Sequence, residues 1–74
     1  MNAYIVADKD ICSGRPCFKG TRLPVSLVLG LLGAGKTPEH ILKGYPSLTK
    51  KHIQAALRFA SEVTENNMSY ASFA

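Results

Sequence analysis

Thr37-Pro38-Glu39-His40-Ile41-Leu42-Lys43-Gly44-Tyr45-Pro46-Ser47-Leu48-Thr49-Lys50-Lys51-His52-Ile53 decides the fold. Thr37 suits a helix N-cap, with Pro38 at the first helical position and Glu39 near the positive end of the helix. Ile41 and Leu42 point inward. Gly44 ends this helix after about two turns, and Pro46 prevents its continuation. Thr49 then caps a second helix. Leu48 before that cap and Ile53 beyond it are placed for a hydrophobic staple. Two helices joined by a tight turn are the core of a helix-turn-helix.

Downstream, Ile53, Ala56, Leu57, Ala60 and Val63 or Thr64 form the expected inward stripe, while Lys51, Gln54, Arg58 and Glu62 face out. Ala55, Ala56 and Ala60 suit close helix packing. Asn66-Asn67 is a plausible stop, so residues 1–66 are read as one domain and 67–74 as a tail carrying Tyr70 and Phe73. Each His stands at the third position of its helix, an expected exposed place.

Upstream, Pro24 is expected at the first position of another helix. Val25, Val28, Leu29 and Leu32 make one apolar stripe, and Leu27 and Leu31 make an adjacent one. A helix apolar over so much of its circumference does not sit comfortably with one side in water. It is expected at the centre of the core, in a homodimer interface, or both. Gly35 stops it. The preceding stretch, Gly14-Arg15-Pro16-Cys17-Phe18-Lys19-Gly20-Thr21-Arg22-Leu23-Pro24, is rich in Gly and Pro and reads as a turn element with a defined path. Gly14, Gly20 and Thr21 are assigned structural roles, Gly20 with φ > 0 where a Cβ would clash. Tyr4-Ile5-Val6, Ile11-Cys12 and Cys17-Phe18 are short β-prone runs, a ribbon that must pack on the helices or on a second subunit. The fold class is mainly α: a short N-terminal β arm, then a trihelical, homeodomain-like helix-turn-helix bundle.

The chain has 74 residues, room for one small domain, which buries only roughly 60–65% of its unfolded surface. The net charge is +4. All nine Lys and Arg lie in residues 1–58, with three of the five acids; Glu62 and Glu65 follow without a cation. That balance permits a nucleic-acid or acidic-protein partner. No apolar run approaches the roughly 20 residues of a membrane span. No signal peptide is evident, so the chain is expected in the cytoplasm with Cys12 and Cys17 reduced.

Gly30-Leu31-Leu32-Gly33-Ala34-Gly35-Lys36-Thr37 matches the phosphate-binding loop pattern at every fixed position. Its context argues otherwise. Such a loop follows a strand and opens the helix of a βαβ unit, and no Asp after Asp10 is present to hold magnesium. A helix C-cap followed by a Thr N-cap explains the same residues. Cys12, Cys17, His40 and His52 do not have zinc-finger spacing. No catalytic set, cofactor site or metal site is assigned, and an enzymatic role is not expected. The basic residues remain. Lys50 and Lys51 open a helix where the dipole disfavours cations, which phosphate contacts would offset. Arg15, Lys19 and Arg22 form a second cluster on the arm.

Gly14-Arg15-Pro16, Lys19-Gly20-Thr21-Arg22-Leu23-Pro24-Val25, Ala34-Gly35-Lys36-Thr37-Pro38-Glu39, Tyr45-Pro46-Ser47-Leu48-Thr49 and Ile53-Gln54-Ala55-Ala56-Leu57 together resemble the domain-of-unknown-function family numbered 433, over about residues 11–60. The resemblance implies a homeodomain-like trihelical fold and a VapB-type antitoxin. Such a protein neutralises a PIN-like nuclease toxin and binds its own promoter DNA. Family members often carry acids where this chain has Lys50-Lys51, so a DNA role for those lysines is not inherited from the family. The DNA-binding expectation rests on Lys50, Lys51, Gln54 and Arg58 of the last helix with Arg15, Lys19 and Arg22 of the arm. The alternative is a non-enzymatic protein-interaction adaptor.

Overall fold

The computed structural model describes residues 2–67. Among them, β1 (Ile5–Val6) pairs antiparallel with β2 (Cys17–Phe18), followed by α1 (Val25–Gly33), α2 (Pro38–Gly44) and α3 (Lys50–Asn67). Ile5 stands opposite Phe18 and Val6 opposite Cys17. Three helices behind a short β arm make a small helical bundle, as the periodicity predicts. The residues assigned to a tail, apart from Asn67 at the end of α3, lie outside the described part. No helix among the described residues is long and apolar enough to cross a membrane.

The arm is more compact than the β-prone runs imply. Ile11 makes only an isolated bridge with Asp8, and Cys12–Gly14 forms a 3-10 turn rather than a strand. Cys12 and Ser13 both have positive φ, 54° and 56°, a costly conformation for residues with a Cβ. Gly14 N–H donates to the carbonyls of Asp8 and Ile11. The next turn is built by Gly20 and Thr21. Gly20 has φ 81°, and a Cβ added there would meet nothing within 4 Å, so glycine is required by backbone angle and not by crowding. That corrects the clash expected from the sequence. Thr21 Oγ1 donates to the Phe18 carbonyl at 2.8 Å and accepts from Leu23 N–H at 3.1 Å.

This turn delivers the chain to α1. Pro24 is the N-cap and Val25 the first helical residue, one position later than expected. Pro24 has no side chain to cap with, and Val25 N–H donates instead to the Pro16 carbonyl at 3.0 Å. At the other end, Gly35 N–H donates to Leu32 and Lys36 N–H to Leu31, with Gly35 at φ 87°. This is a Schellman C-cap. Thr37 Oγ1 then accepts from His40 N–H at 3.1 Å to start α2. The stretch that matches a phosphate-binding loop is thus the end of one helix and the cap of the next, and a helix precedes it where such a loop needs a strand.

Phe18 is fully buried at the centre of the core, among Ile5, Val25, Val28, Ile41, Leu48, Ile53, Ala55 and Ala56. The arm therefore packs on its own helices. Leu48 and Ile53 are both buried, as the staple requires. Cys17 is also fully buried, and that burial pushes its thiol pKa up. On α1, Val25 and Val28 are buried while Leu27, Leu29, Leu31 and Leu32 are half-buried.

On α3 the buried face is turned from the expected stripe. Leu57 is 51% exposed and Val63 40% exposed, whereas Ala55 is buried and His52 half-buried. Asn2 Nδ2 donates to the Ala55 carbonyl at 3.0 Å, and the Tyr4 ring meets His52 edge-on at 5.1 Å. The arm covers this flank of α3, which tilts burial toward His52 and Ala55 and leaves Leu57 outside.

Candidate nucleic-acid interface

The start of α3 is held by an exchange between its cap and its third residue. Thr49 N–H donates to His52 Nδ1 at 3.0 Å, and the Thr49 hydroxyl lies 2.9 Å from the same nitrogen. A capping box has Glu or Gln in this role; here an imidazole takes it. An Nδ1 that accepts from a backbone N–H carries no proton of its own, so the neutral ring bears its hydrogen on Nε2. The ring also meets Phe18 edge-on at 5.5 Å. His52 thus ties three things together: the helix N-terminus, the arm and the core. His40, in the same position of α2, is exposed.

This anchoring fixes the direction of the outer face of α3. Lys50, Lys51, Gln54, Leu57 and Arg58 are all exposed. The helical repeat puts Gln54 in the middle of that face, Lys50 and Leu57 to one side, and Lys51 and Arg58 to the other. Residues 50–58 contain three cations and no acid. Glu62 and Glu65 follow on the last turns, so the positive potential belongs to the half of α3 nearest the cap. Two exposed lysines in the first turn oppose the helix dipole, at about 0.3–1 kcal/mol each.

Two shallow grooves meet at Gln54. One, of about 260 Å³, runs between α3 and the arm and is lined by Asn2, Ala3, Tyr4, Lys51, Gln54, Ala55 and Arg58. The other, of about 310 Å³, runs between α3 and α2 and is lined by Pro38, Glu39, Lys50, Ile53, Gln54 and Leu57. Both fall near or below the roughly 300 Å³ at which small-molecule pockets begin, and both are open. A surface of this kind suits contact with a macromolecule better than enclosure of a metabolite.

The arm cations are less unified than the sequence suggests. Lys19 N–H donates to the Tyr4 carbonyl at 2.9 Å, which places Lys19 beside the residue that lines the first groove. Arg15 lies elsewhere, in a third groove of about 170 Å³ with Pro16, Val25, Ser26, Leu29 and Phe59. Its Nε donates to the Cys12 carbonyl at 3.2 Å. Arg22 is exposed, and its carbonyl accepts from Cys12 Sγ at 3.1 Å. The structure joins Lys51, Gln54 and Arg58, puts Lys50 on their other flank, and gives Arg15 a separate surface. Sequence reasoning missed Asn2, Ala3 and Tyr4 as walls of the site, and Leu57 as an exposed member of it. For Leu57 the stripe pointed the wrong way; for Asn2 no pattern carried a signal.

A family model described as "Protein of unknown function (DUF433)" matches residues 5–60. The matched span begins at β1, ahead of the expected residue 11, and takes in Ile5 of the core. A curated relative, "Uncharacterized protein y4eO" of Sinorhizobium fredii (strain NBRC 101917 / NGR234), is 36% identical over 56 residues, which are 76% of this chain and 25% of that protein. The chain therefore spans about a quarter of that relative's length. No solved structure matches.

Proposed function

We propose that this chain, which belongs to the family of proteins of unknown function DUF433, binds duplex DNA through the exposed N-terminal half of α3. The observation that carries the reading is the face of residues 50–58, where Lys50, Lys51 and Arg58 surround Gln54 with no acid among them. In a helix-turn-helix the second helix enters the major groove with its N-terminal residues on base edges. Lysines there hold phosphates, and Gln54 reads a base edge, adenine being its usual partner. Lys19 sits where it extends the phosphate contacts past the arm. Arg15, on another surface, reaches DNA only where the duplex bends round the domain or a second subunit presents it.

A homodimer completes the proposal. Four leucines of α1 that are only half-buried (Leu27, Leu29, Leu31 and Leu32) leave more apolar surface than the bundle covers, and a second copy doubles a modest positive charge. The biological role we assign is that of an antitoxin acting in the cytoplasm: it binds its own promoter and neutralises a PIN-like nuclease, with no enzymatic activity of its own. The test is fluorescence anisotropy of the duplex upstream of its reading frame at rising salt. Binding whose affinity falls steeply with salt supports the DNA reading; salt-independent or absent binding rejects it. Inhibition of a neighbouring PIN-like nuclease by the purified chain tests the antitoxin part separately.

The exposure of Val63 and the apolar groove beside Phe59 favour a second reading, a protein-only adaptor. It predicts partner capture that survives replacement of Lys50 and Lys51.

A further inference from the structure

Leu57 is the large apolar residue on an otherwise polar face, 51% exposed and one turn beyond Gln54. It stands on the α2 side of α3, in the groove floored by Ile53 and walled by Pro38, Glu39 and Lys50. The two flanks of α3 differ in charge. Lys51 and Arg58 make the arm side purely basic among its charged lining residues, whereas on the α2 side Glu39 offsets Lys50 in the groove that holds Leu57. A phosphate is drawn more strongly to the arm side, because Glu39 partly cancels Lys50 on the other. The α2 side is left to face base edges, where the apolar feature of the major groove is the thymine C5-methyl.

We infer that Leu57 is a specificity-determining residue that packs on a thymine methyl next to the base read by Gln54. The inference rests on the DNA reading above and names part of the sequence that α3 selects. Gln54 and Leu57, three residues apart on one exposed face, contact neighbouring positions in the groove. The preferred site then contains an adenine for Gln54 and a thymine beside it for Leu57, on either strand. Burying one methyl is worth roughly a threefold to fivefold difference in affinity.

The experiment begins with a duplex enriched from a random-sequence library by the wild-type chain. Each thymine is replaced singly by uracil, which removes the methyl and keeps every hydrogen-bonding group. The wild-type chain is expected to lose about threefold to fivefold at one position beside the Gln54 site and little elsewhere. Leu57→Ala is expected to bind thymine and uracil versions alike, and Leu57→Met to restore most of the preference. Leu57 is exposed, so these variants keep the fold, which circular dichroism checks. If the wild-type chain treats every uracil duplex as its parent, or if Leu57→Ala discriminates as the wild type does, the Leu57 assignment falls while DNA binding stands. If no duplex is enriched and none shows salt-dependent affinity, both fall. If Leu57→Ala leaves DNA binding untouched but abolishes capture of a PIN-like nuclease, the groove is a protein-docking surface and the assignment is overturned.

Discussion

α1 and α3 lie against each other in one bundle and present opposite surfaces. The nine residues of α1 carry no charge, and beyond buried Val25 and Val28 its leucines stay half-exposed. α3 is amphipathic: it buries Ile53, Ala55 and Ala56 and exposes Lys50, Lys51, Gln54 and Arg58. Both helices hold more surface of one kind than the bundle needs. The surplus on α1 is apolar and suits another copy of the chain; the surplus on α3 is basic and suits nucleic acid. On the reading proposed above, each of these two helices has an inner face for folding and an outer face for a partner.

Phe18 is the residue both helices share in the core. Phe18→Ala removes a fully buried ring at the centre of the cluster that joins the arm to α1 and α3, and is expected to lower stability by about 3–5 kcal/mol. In a domain this size that leaves much of the chain unfolded in a denaturant titration. A loss under about 1 kcal/mol means that the arm is not part of the core.

Next comes the outer face of α1. Leu27 is half-buried and is not among the leucines packed on the core cluster. Leu27→Lys is expected to weaken a homodimer at least tenfold, about 1.4 kcal/mol, with the helical content intact. Sedimentation equilibrium reads this directly. A wild-type chain that stays monomeric at micromolar concentration removes the dimer and leaves the apolar surplus of α1 to another partner.

His52→Ala tests how α3 is aimed. It deletes the acceptor for Thr49 N–H and two edge-on ring contacts, and about 1–2 kcal/mol of stability is expected to go with them. Lys50 and Lys51 then lose their fixed direction, so the proposed DNA affinity is expected to fall although none of the proposed contact residues has changed. The smallest stability effect belongs to Gly20. Gly20→Val is expected to cost just over about 1 kcal/mol, from the backbone at φ 81°. Gly20→Asn costs less, because Asn tolerates the left-handed region. Equal losses for the two point to crowding instead of backbone angle.

Much of this architecture is legible in the residues. Thr37, Pro38 and Gly44 bracket α2, Gly35 ends α1, and Leu48 with Ile53 mark the start of α3, because caps and staples act within a few residues of themselves. The outcome is poorer where the deciding contact is distant in sequence. His52 looks exposed and Leu57 looks buried because helical periodicity is blind to an arm that lies far upstream, where Asn2 bonds a residue 53 positions away. Asn2 and Tyr4 rotate the buried face of α3, and no pattern within α3 reports that. The basic face is legible because charge needs no partner to be seen. Its division into an arm side and an α2 side needs the structure.

The first turns of α3 are proposed to hold DNA phosphates, and the salt dependence of binding reads this out. Each neutralised phosphate adds about 0.9 to the slope of log K against log salt. Replacing Lys50 and Lys51 together by Ala is predicted to flatten that slope by roughly 2 per subunit, or up to about 4 in a dimer, while Gln54→Ala relaxes sequence preference and leaves the slope nearly unchanged. A double variant that keeps the wild-type slope on the same duplex would contradict the account.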